Sequence, residues 1–273
     1  MKIVLKSSNK LIKLLELFKI IKSLNNFCTL YCNKDRIFIQ TMDDAHITLL
    51  NINIKKEWFE SYECGEDENI SFNSTIITSI LNLYSPKTVI TFTTDEDLDF
   101  LNISLQYIDN SVKSFSLPLI DIDGDLLCSN PIECGIDLSI STKRFDKIVS
   151  EHALFGDTVD IVYNNNTFYM RTTGDLGEYK LKIPKETLSI IENVSDYKTY
   201  NKISLKYLSF ITKLHSVFDK ITIKISSDDG NPLTVQYYED ITDKSNDLLE
   251  IIYYIAPKFQ DDDEEINYNE FEY

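Results

Sequence analysis

One order of landmarks, helix, strands, helix, strands, occurs twice along this chain, and any fold must accommodate both copies. In the first half, residues 9–22 place Leu11, Leu14, Leu15, Phe18 and Ile21 at helical spacing, with Asn9, Lys10, Lys13 and Glu16 opposite. Leu17 and Ile20 fall near Lys13 and blur the two faces. Strand-like segments follow at 27–32, 37–40 and 46–54. A second helix is expected over 75–85, with Ile76, Ile77, Ile80, Leu81 and Tyr84 inward and Thr75, Thr78, Ser79, Asn82 and Ser85 outward; Pro86 stops it. Strands are expected at 89–93, 101–107 and 112–119, around an acidic turn at 95–97.

The second half repeats the order. A helix over 141–152 turns Phe145, Ile148, Val149 and His152 one way and Lys143, Arg144, Lys147 and Ser150 the other. Another over 204–214 packs Leu205, Leu208, Ile211 and Leu214 inward and leaves Lys206, Ser209 and Lys213 out. Strands follow each, around turns at 164–166 and 228–231. The expected class is α+β: two similar domains, each with two helices packed on antiparallel sheets. Residues 1–120 form the first and 135–258 the second. The aperiodic stretch 121–134 connects them, and 259–273 reads as an acidic, solvated tail.

A chain that is 43% hydrophobic and 12% aromatic over 273 residues can bury a substantial core. Its net charge of −17 excludes a surface that is basic all round, so contact with nucleic acid requires local clusters of cations. Five cysteines, an odd number without C-x-x-C, indicate reduced thiols in an intracellular protein rather than a disulfide or zinc framework. The N-terminus has no signal-peptide pattern, and no stretch is long and apolar enough to span a membrane.

Catalytic constellations are poor. Asp121, Asp123 and Asp125 have the alternating spacing that begins a calcium loop, but Leu126 and Ile132 stand where glycine and glutamate belong. A metal-dependent enzyme using these three aspartates is the rival reading from another class. His46, His152 and His215 are isolated from one another, and no phosphate-cradling glycine pattern is present. Neither a cofactor nor a metal is expected. Cations, by contrast, gather on helix faces: Lys10 and Lys13, then Lys143, Arg144 and Lys147, then Lys206 and Lys213. A surface lined by such faces holds phosphates without reading bases.

The segment Ile39-Gln40-Thr41-Met42-Asp43-Asp44-Ala45-His46-Ile47-Thr48-Leu49 is more particular. Together with Leu119-Ile-Asp-Ile-Asp123, Phe155-Gly-Asp157, Leu205-Lys-Tyr-Leu-Ser-Phe210, Asn231-Pro-Leu-Thr-Val-Gln-Tyr237 and Tyr253-Tyr-Ile-Ala-Pro-Lys258, in this order and spacing, it resembles the DNA sliding clamps of the proliferating cell nuclear antigen family. The resemblance implies the DNA clamp fold assembling into a ring, in the family a homotrimer that encircles double-stranded DNA and works without catalysis of its own. It implies as partners DNA polymerase and other replication and repair proteins, which bind through short peptide motifs, and a clamp loader. The implied place is the nucleus, or a cytoplasmic replication factory if the chain is viral. A monomeric or heteromeric clamp-like factor is the nearest alternative.

By position, Lys13, Lys19, Lys147, Lys206 and Lys213 match basic residues that face DNA in the family, and Lys10 and Lys143 join them from the exposed helix faces. Ser79, Asn82 and Ser150 depart from the family's basic pattern, as do Glu63 and Glu66. The family's partner-peptide groove maps onto Met42, His46, Ile47, Leu49, Leu127, Pro232, Leu233, Tyr254, Ala256 and Pro257, with Ser129 replacing a usual aliphatic residue. Subunit contact maps onto edge segments 113–119 and 178–183, through Phe115, Leu117, Tyr179 and Leu181. Pro118 removes one donor from that ladder.

Overall fold

The structure, a computed structural model, describes residues 1–95, 97–122, 126–127, 132, 134–193, 198–226, 228, 230–238, 248–258 and 271. Asp123, Asp125, Ser129, most of the connector and nearly all of the tail lie outside the described residues. The chain forms two compact units, 1–127 with 238–251, and 128–237 with 252–273.

The first unit begins with β1 (Lys2–Leu5), followed by α1 (Ser8–Leu24), β2 (Phe27–Cys32), β3 (Arg36–Met42) and β4 (Thr48–Lys55). A short 3-10 turn then leads to β5 (Ser61–Glu63), β6 (Glu68–Asn73), α2 (Ser74–Leu81), β7 (Val89–Thr94), β8 (Phe100–Gln106) and β9 (Val112–Pro118). The strands β5-β1-β7-β8-β9 form one antiparallel sheet, and β4-β3-β2-β6 run side by side in another.

Helix α1 buries Leu11, Leu14, Leu17, Phe18, Ile20, Ile21 and Leu24. The blurred face of the sequence is thus a wide apolar arc: Leu17 and Ile20 are core residues, and Leu15 is only half-buried. Helix α2 departs further. It ends at Leu81 rather than residue 85, because Leu83 and Tyr84 turn back in tight i to i−3 bonds before Pro86. Asn73 caps its start, accepting from the N–H groups of Thr75 and Ile76. Ile76, expected inward, is 48% exposed, and Thr78, expected outward, is buried. The reason is a hydrogen bond: the Thr78 hydroxyl reaches the carbonyl oxygens of Ser74 (2.7 Å) and Phe18 (3.2 Å), tying α2 to α1.

The second unit contains β10 (Cys134–Ser141), α3 (Thr142–His152), β11 (Thr158–Asn164), β12 (Thr167–Gly174) and β13 (Gly177–Pro184). After them come β14 (Ser189–Asn193), β15 (Thr199–Ser204), α4 (Leu205–Thr212), β16 (Lys220–Ser226) and β17 (Leu233–Tyr238). Here β13-β12-β11-β15 form a four-stranded antiparallel sheet and β14-β10-β16-β17 lie together. The last strand, β18 (Leu249–Ile255), begins in the first unit and ends in the second. The four residues expected inward on each helix are all buried. His152 is a core residue, its Nδ1 2.9 Å from the Thr172 hydroxyl, and burial pushes its pKa down to about 4.

Strands β1, β5 and β6 were not legible in the sequence, being short or without clean alternation. The tail also holds a surprise, for Phe271 is 5% exposed where a solvated charge run was expected.

Candidate nucleic-acid interface, partner pocket and sheet edges

The lysines expected to meet phosphate lie on two helix pairs. On α1, Lys19 is exposed and 2.8 Å from Glu16, while Lys13 is half-buried. Lys10 is half-buried, 3.7 Å from Glu60 and over the Trp58 ring. Lys22, which was not anticipated, is exposed one turn beyond Lys19 on the same face. Lys143 and Lys147 are exposed on α3, with Lys147 3.7 Å from Glu151. Lys206 and Lys213 stay exposed beside the rings of Tyr207 and Phe210. Such surface pairs hold their charges loosely, so phosphate can compete for the lysines. Ser79, Asn82 and Ser150 are exposed, as are Glu63 and Glu66.

In the first unit a cavity of about 280 Å³ brings together Met42, His46, Leu49 and Leu127 with Phe27, Tyr31, Gln40 and Asp44. Its wall is a specific loop. The Asp43 carboxylate accepts the N–H groups of Ile47 (2.9 Å) and Thr48 (2.6 Å), and His46 takes a left-handed φ of 58°. For this reason β4 starts at Thr48 rather than at residue 46. Gln40 then fixes the connector: its amide donates to the Leu127 carbonyl (3.1 Å) and accepts the Leu127 N–H (2.7 Å). Leu127 remains 50% exposed, as does Phe27 at 48%. Gln40 stood in the motif but not among the expected groove residues. Its amide also donates to the cross-strand Asn51 at 3.0 Å, so Gln40 joins the sheet to the connector.

Ile47 is half-buried and does not line this cavity. In the second unit Pro232, Tyr254 and Pro257 are half-buried and Ala256 is exposed. Leu233 is a correction: it is fully buried, because alternate residues of a strand share a face and it packs inward with Val235 and Tyr237. It therefore offers no contact surface. The thiol of Cys28 lies beside the cavity, and burial pushes it up to about 12, so it is no nucleophile at neutral pH. Of the metal-enzyme rival, only Asp121 is among the described residues.

Sheet edges complete the site. Two are met by chain of the same unit: Ile120 donates to Ser71 on β6, and Lys258 donates to Lys202 on β15. On β9 and β13 the register decides which groups face out. The bonds Tyr107 N–H to Ser111 O and Leu119 N–H to Asp99 O turn the odd residues of β9 toward β8, so Val112, Ser114 and Ser116 aim their N–H groups away. The bond Lys185 N–H to Asn166 O does the same for β13, turning Glu178, Lys180 and Lys182 outward. Pro118 and Pro184 both sit in the outward set, where a missing N–H costs the unit's own ladder nothing. Phe115, Tyr179 and Leu181 are half-buried on the covered side of their sheets. Leu117 is 4% exposed and spent within its own unit, a correction to its expected contact role.

Two units of like plan, each with cations on its helix pair and an open edge strand among the described residues, are the plan of a DNA clamp. The chain matches the model of the proliferating cell nuclear antigen N-terminal domain over residues 2–126 and that of the C-terminal domain over residues 131–258. It therefore belongs to the proliferating cell nuclear antigen family, and it is a sliding clamp, a processivity factor of DNA replication. It is 25% identical over 258 residues to proliferating cell nuclear antigen 1 of Plasmodium falciparum (isolate K1 / Thailand), covering 90% of this chain and 93% of that protein. It is 25% identical over 252 residues to proliferating cell nuclear antigen of Chaetomium thermophilum, covering 89% and 93%.

Proposed function

We propose that three copies of this chain close into a ring, β9 of one against β13 of the next, and that the ring encircles duplex DNA. The two edges present outward N–H groups on alternate residues and extend covered apolar faces, and these two open edges are what supports the reading. The edges differ in sequence, so contact is head-to-tail, the arrangement that generates rings. Inside, Lys13, Lys19, Lys147, Lys206 and Lys213, with Lys143 and Lys22, meet phosphates. The cavity at Met42, His46, Leu49 and Leu127 receives the apolar anchors of partner peptides from polymerases and repair enzymes, and a loader opens the ring. The chain acts as a scaffold without catalysis of its own, at nuclear DNA or in a cytoplasmic replication factory.

Fluorescence anisotropy with two duplexes of unrelated sequence tests the DNA contact. Equal affinities that fall as salt rises are expected, together with a loss on the order of tenfold or more for Lys13→Glu, Lys147→Glu and Lys213→Glu combined. Sequence-dependent binding, or unchanged binding by the triple variant, rejects the assignment.

A further inference from the structure

The four-stranded sheet has one face under α3, as the His152 to Thr172 contact shows, so the even residues of β12 are covered and the odd ones lie on the far face. That far face should be polar. Instead, one row across it reads Tyr200, Val162 and Tyr169, which are paired directly across β15, β11 and β12. Phe271, from the acidic tail, closes on this row, and the four residues bury one another to 5% exposure or less.

The next row supplies charge. Arg171 stands opposite Asp160 and Lys180, and Asp160 opposite Lys202. The Asp160 carboxylate lies 3.2 Å from both Nε and Nη2 of Arg171 and accepts the Tyr200 hydroxyl at 2.9 Å. So held, the guanidinium carbon lies 4.3 Å from the centre of the Phe271 ring. Lys182 stands opposite Tyr169, with its ammonium 5.6 Å from that ring. The aromatic row is thus rimmed by Arg171, Lys180, Lys182 and Lys202 in a chain whose net charge is −17. In sequence Phe271 is flanked by Glu270 and Glu272. The tail also departs from beside the row, because the Lys258 N–H donates to the Lys202 carbonyl at 2.7 Å.

We propose that this row is a second recognition socket, separate from the cavity at Met42, which takes an aromatic side chain flanked by carboxylates, and that the chain's own C-terminus is its resident ligand. The stacked cation selects an aromatic ring, and the lysine rim selects the acidic flanks. The tether that starts at Lys258 keeps the tail at high local concentration.

Anisotropy with a labelled synthetic peptide of residues 266–273 tests the socket on the full-length chain and its Phe271→Ala variant, after thermal melts confirm that both are equally folded. Saturable binding to the variant is expected, about tenfold tighter than to the wild type, whose tail competes. It should weaken with salt and vanish when the peptide itself carries Phe271→Ala. No saturable binding to the variant overturns the proposal, as does equal affinity for variant and wild type.

Discussion

The edge strands β9 and β13 share one backbone plan and differ in their side chains. Each aims three N–H groups outward before a proline, Pro118 or Pro184, ends the series. On β9 the outward donors belong to Val112, Ser114 and Ser116, whereas on β13 they belong to Glu178, Lys180 and Lys182. In the proposed ring the backbone ladder supplies affinity that any strand could give, and the unlike side chains set the two edges apart.

The largest effect should come from removing a single outward donor. Ser114→Pro loses an outward N–H and leaves the bonds to β8 intact. It should weaken subunit contact by about 3 kcal/mol, roughly a hundredfold, with the unit still folded. Phe115→Pro, one residue on, loses an inward N–H and should instead destabilise the unit itself. Circular dichroism melts read beside oligomer mass separate the two variants. If both behave alike, the register-based assignment of the edge is wrong.

A smaller effect contrasts the units' binding surfaces. Leu127→Asp places a charge where Gln40 holds the connector over the cavity, and should cost a partner peptide of the form Gln-x-x-aliphatic-x-x-aromatic-aromatic about 2 kcal/mol by calorimetry. Phe271→Ala in the second unit should leave that affinity unchanged. Loss in both variants would merge two sites held here to be separate.

Acid should also tell the units apart. The folded pKa of His152 is depressed by burial to about 4, below the ordinary 6.5. Its contribution is therefore complete above pH 6.5 and is lost as pH falls toward 4, reaching about 2 kcal/mol at pH 5. Hydrogen exchange should show the second unit loosening first between pH 7 and 5, and His152→Gln should flatten that dependence. Equal loosening of both units at the two pH values removes His152 as the cause.

Periodicity revealed the four helices, because each must bury a stripe every turn, and the two-fold order of elements followed from them. It misjudged Thr78 and Ile76, since a hydroxyl that bonds the facing helix outweighs its hydropathy. Short strands such as Ser61–Glu63 carry too few residues for a pattern and exist only through pairing with β1. Within the site, the motif from Gln40 to Leu49 was legible, whereas the Gln40 bonds to Leu127 and the Phe271 socket join residues far apart in sequence. Leu117 and Leu233 were named from position alone, and only strand register showed that both point inward.

Ring closure through β9 and β13 is tested most directly by the mass in solution. Light scattering on a size-exclusion column at micromolar concentration should give about three times the 31.7 kDa chain mass for the wild type and a single chain mass for Ser114→Pro. A wild type that runs as a single chain, or a Ser114→Pro variant that keeps the threefold mass, would contradict it.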